Sequence, residues 1–337
     1  MKEWRPFKIC RRVCEYTMTN PKFGSSEVQD IVTVAAINFH PKWGDKADNL
    51  KRMKGYVRTA AKQGADLILF PETALTGYGV KDDDPEMQRQ NAETVPGEST
   101  LALAELSKEY GVYVVLGMPE RDAADPDIIY NSAAVIGPEG VIGAYRKIHP
   151  AAKESLWATK GSEPLMFDTP WGPVGVGICY DSYCFPELVR HYTALGSRIY
   201  LNPTTIHNVE GWQDLYYTTL KSRSLENGTF IVSSNLVGQD YDSYFPGGSM
   251  IVGPASHIGS EYKGAPVEDK EAVVLATLDL SQAGGRLPLF EHNPLTGVPD
   301  WRPDIYLHML SGITRNGKWA GSSENKLLPK PSAAVIV

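Results

Sequence analysis

The run Ile31-Val32-Thr33-Val34-Ala35-Ala36-Ile37 constrains the fold more than any other stretch of the chain. It is β-branched and small-apolar with no polar alternation, the pattern of a strand buried on both faces. Such a strand needs a packed layer on each side. The pattern recurs, with helical periodicity in between. Lys46 to Gln63 sets Leu50, Met53, Val57 and Ala61 at helical spacing and stops at Gly64. Asp66-Leu67-Ile68-Leu69-Phe70 predicts a second buried strand, and a helix over 99–109 leads to a strand over 112–118. Strands over 129–136 and 141–146 flank the turn Gly137-Pro138-Glu139-Gly140. Further on, strands are predicted over 174–178, 198–201, 229–234, 249–252 and 273–278, with helices over 186–195 and 212–226. The alternation predicts an α/β fold. Residues 1–30 read as an N-terminal extension, 31–310 as one domain and 311–337 as a C-terminal tail.

Charge and composition narrow the function classes. With 33 Lys and Arg against 40 Asp and Glu, the 337-residue chain carries a net charge of −7. That gives no general attraction to nucleic acid or to an anionic membrane, so neither is expected as a partner. No stretch approaches the roughly 18 apolar residues of a membrane span. The N-terminus lacks the apolar centre of a secretory signal, so a cytoplasmic location is expected. Four cysteines (10, 14, 179 and 184) do not make a disulfide framework. The histidines show no metal-ligand spacing and there is no glycine-rich nucleotide loop, so no metal or cofactor is expected.

Three segments each close a predicted strand with a reactive side chain. They are Phe70-Pro71-Glu72-Thr73, Tyr145-Arg146-Lys147-Ile148-His149-Pro150 and Gly175-Val176-Gly177-Ile178-Cys179-Tyr180-Asp181. Strand C-termini are where open α/β sheets gather reactive groups. Taken singly, Glu72 reads as a helix-start carboxylate, Lys147 as a solvated charge and Cys179 as a small core residue. Taken together they form a chemical set. A thiolate attacks a carbonyl or nitrile carbon once a base has taken its proton, and a carboxylate can be that base. A fixed ammonium and a backbone N–H can hold the negative charge that attack creates. The set suits acyl transfer from a C–N bond through a thioester.

At these residues the chain resembles the nitrilase, or carbon–nitrogen hydrolase, superfamily, from about Ile31 to Tyr306. The matching segments are Phe70 to Tyr78, Tyr145 to His149, and Gly175 to Asp181 followed by Phe185-Pro186-Glu187. Weaker matches are Asn202-Pro203, Ser233-Ser234-Asn235, Gly248 to Ile251 and Arg302 to Tyr306. The resemblance implies an α-β-β-α sandwich of two mixed sheets with outer helices, and a homodimer or larger homo-oligomer. It implies Glu72 as general base, Lys147 as cationic stabiliser and Cys179 as nucleophile. It adds the Tyr180 amide N–H as second oxyanion donor and Glu154, with Gly161 after it, as a substrate- or lysine-positioning carboxylate.

The chain departs from the family pattern in one place. Ser182-Tyr183-Cys184 puts three residues between Asp181 and Phe185, where the family usually has two. The turn after the nucleophile should therefore be remodelled. Cys179-Tyr180-Asp181 is similar to the amidase and carbamoylase branches, whereas nitrilases usually follow the cysteine with Trp-Glu. The expected substrate is a small linear amide or N-carbamoyl compound; the alternatives are a nitrile, or a catalytically silent relative used for binding or assembly. A carboxylate-bearing substrate would need a cation, with Arg190, Arg198 and Arg223 as candidates. Tyr241 to Gly248 is a candidate pocket entrance, with an ordinary surface loop as the alternative.

Overall fold

The computed structural model describes residues 28–79, 85–256, 259–284, 295–298 and 300–311. Most of the N-terminal extension and of the C-terminal tail, with Cys10 and Cys14, lies outside the described residues. The chain divides into two units, 1–285 and 286–337.

In chain order the first unit runs β1 (Ile31–Asn38), α1 (Lys46–Lys62), β2 (Leu67–Leu69), α2 (Glu86–Asn91), α3 (Glu98–Tyr110), β3 (Tyr113–Arg121), β4 (Ile129–Gly137) and β5 (Gly140–Arg146). It continues with β6 (Leu165–Thr169), β7 (Gly172–Val176), α4 (Tyr180–Tyr183), α5 (Glu187–Ala194), β8 (Ile199–Thr204), α6 (Thr219–Asn227) and β9 (Phe230–Asn235). It closes with β10 (Val237–Asp240), β11 (Ser243–Ser256), β12 (Gly259–Glu268) and β13 (Ala272–Asp279). The described part of the second unit holds one helix, α7 (Pro303–Ser311).

The strands form two mixed sheets. The first is ordered β13-β1-β2-β3-β4-β5, with β1-β2 and β2-β3 parallel and the other pairs antiparallel. The second is ordered β10-β11-β9-β8-β7-β6, with β12 added to β11 and with β7-β8 and β8-β9 parallel. This is the expected architecture of two mixed sheets with helices.

The run that opened the sequence reading explains the layering. Val32, Val34 and Ala36 point into the core shared with Val176, Leu201 and Val232 of the second sheet. Ala35 and Ile37 point the other way, against Met53, Val57 and Ala60 of α1 and Leu103 and Leu106 of α3. A period of two thus splits one apolar run between a sheet–sheet core and a sheet–helix core. On the second sheet Leu188, Val189 and Tyr192 of α5 and Leu220 of α6 complete the packing.

The second sheet departs from the sequence expectation in places. Tyr241 to Gly248 is neither an entrance nor a surface loop: Tyr241 and Asp242 turn a hairpin, and β11 runs fourteen residues from Ser243. Positive φ at Gly247 and Gly248 and register shifts on either side of Ser249 interrupt the alternation that would have marked a strand. The turn after Cys179 is α4, a single helical turn between Cys179 and Cys184. Strands β6 and β12 went unread because each is partly exposed and polar.

Candidate active site

The chain ends of β2, β5, β7 and β8 converge on one buried cluster. Glu72 lies just past the end of β2 at Leu69. Its approach depends on Gly117 of β3, where a Cβ would sit 2.1 Å from the Pro71 carbonyl oxygen. Lys147 is the first residue past β5, and its N–H donates 2.8 Å to the Asn131 carbonyl. Gly161 fixes the same segment: its N–H donates 2.8 Å to the Lys147 carbonyl. A Cβ at Gly161 would lie 2.0 Å from the Arg146 carbonyl oxygen, so only glycine fits.

Lys147 Nζ donates to Glu72 Oε1 at 2.7 Å and to Glu154 Oε1 and Oε2 at 2.7 and 2.8 Å. Asn131 Nδ2 bridges the two carboxylates, 2.7 Å from Glu72 Oε1 and 3.2 Å from Glu154 Oε2. Thr205 Oγ1 donates 2.6 Å to Glu72 Oε2, and the Tyr78 hydroxyl donates 2.6 Å to Glu154 Oε1. Glu72 and Lys147 are fully buried and Glu154 is 3% exposed. Two carboxylates thus share one ammonium away from water. Burial alone would favour neutral lysine, but Glu154 and Glu72 outweigh it and hold the Lys147 ammonium well above the usual lysine range. Burial pushes the Glu154 carboxyl up, and Lys147 only partly offsets this.

Cys179 sits at the start of α4 with φ at +48°. Positive φ in a side-chain-bearing residue costs about 1–3 kcal/mol and persists only where the surroundings impose it. Here the Cys179 N–H donates 2.9 Å to the Pro203 carbonyl on β8, which pulls the turn inward. Asp181 locks the turn from the other side. It accepts from the Ile178 N–H at 3.1 Å, the Tyr145 hydroxyl at 2.8 Å and the His149 N–H at 3.0 Å, and its Oδ1 lies 2.7 Å from His149 Nδ1. The His149 ring stacks on Phe185 with centroids 3.6 Å apart. The two motifs at Lys147 and Cys179 are therefore one rigid piece. Burial first, then the charges of Glu72 and Glu154, push the Cys179 thiol up to about 12, with Lys147 and a hydrogen bond from Thr204 pulling back. With its pKa pushed up to about 12, the Cys179 sulfur is held as a neutral thiol near neutral pH.

Cys179, Tyr180 and Glu154 line a cavity of about 210 Å³, walled by Trp43, Tyr78, Trp157 and Ile206. Tyr180 follows Cys179 directly and its ring is 38% exposed. All five residues singled out in the sequence thus meet in one place. The arginine candidates do not line this cavity. Arg198 is tied to Asp30, Gln29 and Trp171, and Arg223 to Glu226 and the Ser182 and Tyr183 carbonyls; the lysine on the wall is Lys153. Cys184 is an exposed free thiol and Cys179 a buried one. Tyr241 stacks on Trp43 at 4.6 Å, so it backs the cavity wall rather than forming its mouth.

The sequence reading missed Tyr78, Asn131, Thr205 and the bracing role of Asp181. Two of the four stood inside segments already singled out, Tyr78 in the first and Asp181 in the third. Thr205 follows the Asn202-Pro203 match and could have been found from it. Asn131 lies in mid-strand and carried no signal.

Residues 33–285 match the carbon-nitrogen hydrolase family model. The chain is 34% identical over 279 residues to the omega-amidase NIT2 of Homo sapiens, covering 77% of this chain and 92% of that one. It is 33% identical over 281 residues to a probable nitrilase of Schizosaccharomyces pombe, covering 82% of this chain and 98% of that one. Among solved structures, an amidase from Nesterenkonia sp. superposes with a TM-score of 0.66 at 21% identity, over 82% of this chain and 96% of that one.

Proposed function

The chain belongs to the carbon–nitrogen hydrolase family, and from that premise we propose that it hydrolyses a small linear amide or N-carbamoyl compound through a cysteine thioester, releasing ammonia. The observation that carries this reading is the buried Glu72–Lys147–Glu154 cluster beside a cavity-lining thiol held in a strained turn.

In this reading Glu72 takes the Cys179 proton as sulfur attacks the carbonyl carbon. The carbonyl π pair moves to oxygen, where the Lys147 ammonium and the Tyr180 N–H hold it. Glu72 then returns the proton to the leaving nitrogen, the C–N bond breaks and ammonia departs. Water, its proton taken by Glu72, attacks the thioester carbon. The tetrahedral intermediate collapses, the C–S bond breaks, and the acid leaves with the thiol restored. Glu154, held by Lys147 and Tyr78, positions Lys147 and accepts from the substrate N–H. That N–H favours an amide over a nitrile, which has none, as does Tyr180-Asp181 in place of Trp-Glu. The relatives include both omega-amidases and nitrilases, so an ammonia-release assay across amides, N-carbamoyl compounds and nitriles is the test. The expected result is the highest kcat/KM with an amide or N-carbamoyl compound; a nitrile exceeding all of them would overturn the reading.

A further inference from the structure

The two oxygens of Glu72 are not equivalent. Oε1 accepts from Lys147 Nζ and from Asn131 Nδ2, both at 2.7 Å. A carboxylate oxygen offers two lone pairs, so Oε1 is full. Oε2 accepts from Thr205 Oγ1 at 2.6 Å, which leaves it one lone pair open among the described contacts. Glu72 is fully buried and does not line the cavity, whereas Thr205 is 4% exposed and does, as does Cys179. Oε2 is therefore the oxygen joined to the cavity wall. The threonine is seated just past the end of β8, and the next residue is clamped to the end of β9: the Ile206 N–H donates 2.9 Å to Asn235 Oδ1, and Asn235 Nδ2 donates 3.0 Å to the Ile206 carbonyl. A threonine hydroxyl has one hydrogen, and here it is spent on Glu72.

We propose that Thr205 is a positioning residue for the base: its hydroxyl holds the Glu72 carboxylate so that Oε2, and not Oε1, receives the proton. The proposal rests on Glu72 as base and Cys179 as nucleophile. In that step the S–H bond breaks, its electron pair stays on sulfur, the proton goes to the open lone pair of Oε2, and Thr205 keeps its own hydrogen. The charged and titratable groups whose fields Glu72 shares are the Lys147 ammonium, the Glu154 carboxyl, the Cys179 thiol and the Tyr78 phenol. Lys147 and Asn131 hold Oε1 whether or not the threonine hydroxyl is present, so its removal falls on Oε2 alone. A hydrogen bond to the charged form of an acid favours that form, so losing this one makes Glu72 easier to protonate and idles it at a higher pH.

Alkylation by iodoacetamide across a pH series tests this without amide turnover. Sulfur displaces iodide, the S–C bond forms as C–I breaks, and the thiol proton goes to Glu72. Labelling of Cys179 is followed by site-resolved mass spectrometry. Thr205→Val keeps the shape and removes the donor, so the acid limb of its labelling profile should move up by about one pH unit, the scale of a lost hydrogen bond to a charged group. Thr205→Ser keeps the hydroxyl and should keep the wild-type limb. Thr205→Ala removes the same donor with no added apolar bulk and should shift the limb in the same direction, which decides the matter where the valine variant does not fold. A hydroxyl that merely supports the fold would lower the melting temperature and leave the limb in place. An unmoved limb in the donor-less variants, or an equal shift in Thr205→Ser, would overturn the proposal. Rapid wild-type labelling with no amide or N-carbamoyl compound cleaved would overturn the amidase reading instead, and the variants' acid limbs would still decide this one.

Discussion

At the residue scale, side chains that bear φ near +45° stand close to three of the site's groups: Thr73 after Glu72, Ala152 two residues before Glu154, and Cys179 itself. Backbone strain of about 1–3 kcal/mol per residue is sustained where the surrounding packing over-determines it. Cys179→Ala should therefore keep the fold and lose turnover altogether, read by ammonia release alongside an unchanged melting curve. Lys147→Met should raise the barrier by roughly 3 kcal/mol or more, the scale of one oxyanion donor. It also leaves two buried carboxylates facing one another, so its melting temperature should fall, whereas Glu72→Gln should cost turnover with less loss of stability. Retention of near-normal kcat in any of the three would remove that residue from the mechanism. Glu72, Lys147 and Cys179 were legible because each closes a predicted strand, whereas Glu154 came only from the family resemblance. Asn131 was not, since nothing local distinguishes a bridging amide from any other; only the meeting of β4 with the end of β2 gives it its partner.

At the element scale, the β10–β11 hairpin carries a charge in an unusual setting. Asp240 is 2% exposed at the end of β10, where it accepts the Tyr78 N–H at 2.6 Å. Burial pushes its carboxyl up from 3.8 to about 7. Between those values the folded chain holds a proton that the unfolded chain has released, so stability falls as pH rises from about 4 to 7 and then levels off. The full effect is on the order of 4 kcal/mol. Asp240→Asn should therefore raise the melting temperature more at pH 8 than at pH 4, and an equal effect at both would refute the assignment. A second expectation belongs to β3. Gly117→Ala drives a methyl against the Pro71 carbonyl and should cost about 1–3 kcal/mol by overpacking while displacing Glu72. Differential scanning calorimetry with a kcat measurement checks both parts. The sandwich-forming strands were legible because continuous apolar runs mark burial on two faces. The hairpin was not, because its glycines and Pro246 resemble loop composition and its bulges erase the period of two.

At the scale of the whole molecule, no described helix is long and apolar enough to cross a membrane. We propose that the chain assembles at least as a homodimer; light scattering should report a mass of twice 37.1 kDa or more, and a 37.1 kDa species alone would contradict it. The fold also distributes the site unevenly along the chain. Glu72, Asn131, Lys147 and Glu154 come from the first half, with the first sheet, whereas Cys179, Thr204 and Thr205 come with the second. Neither sheet holds a complete set, and Cys179 meets the buried carboxylates only when the two faces close on the core they share. During synthesis the acids and the lysine emerge well before the nucleophile, and the last strand pairing of the first sheet waits for β13. The growing polypeptide therefore gains the carboxylates and the lysine before the thiol, and these groups stand together only in molecules whose two halves have found each other.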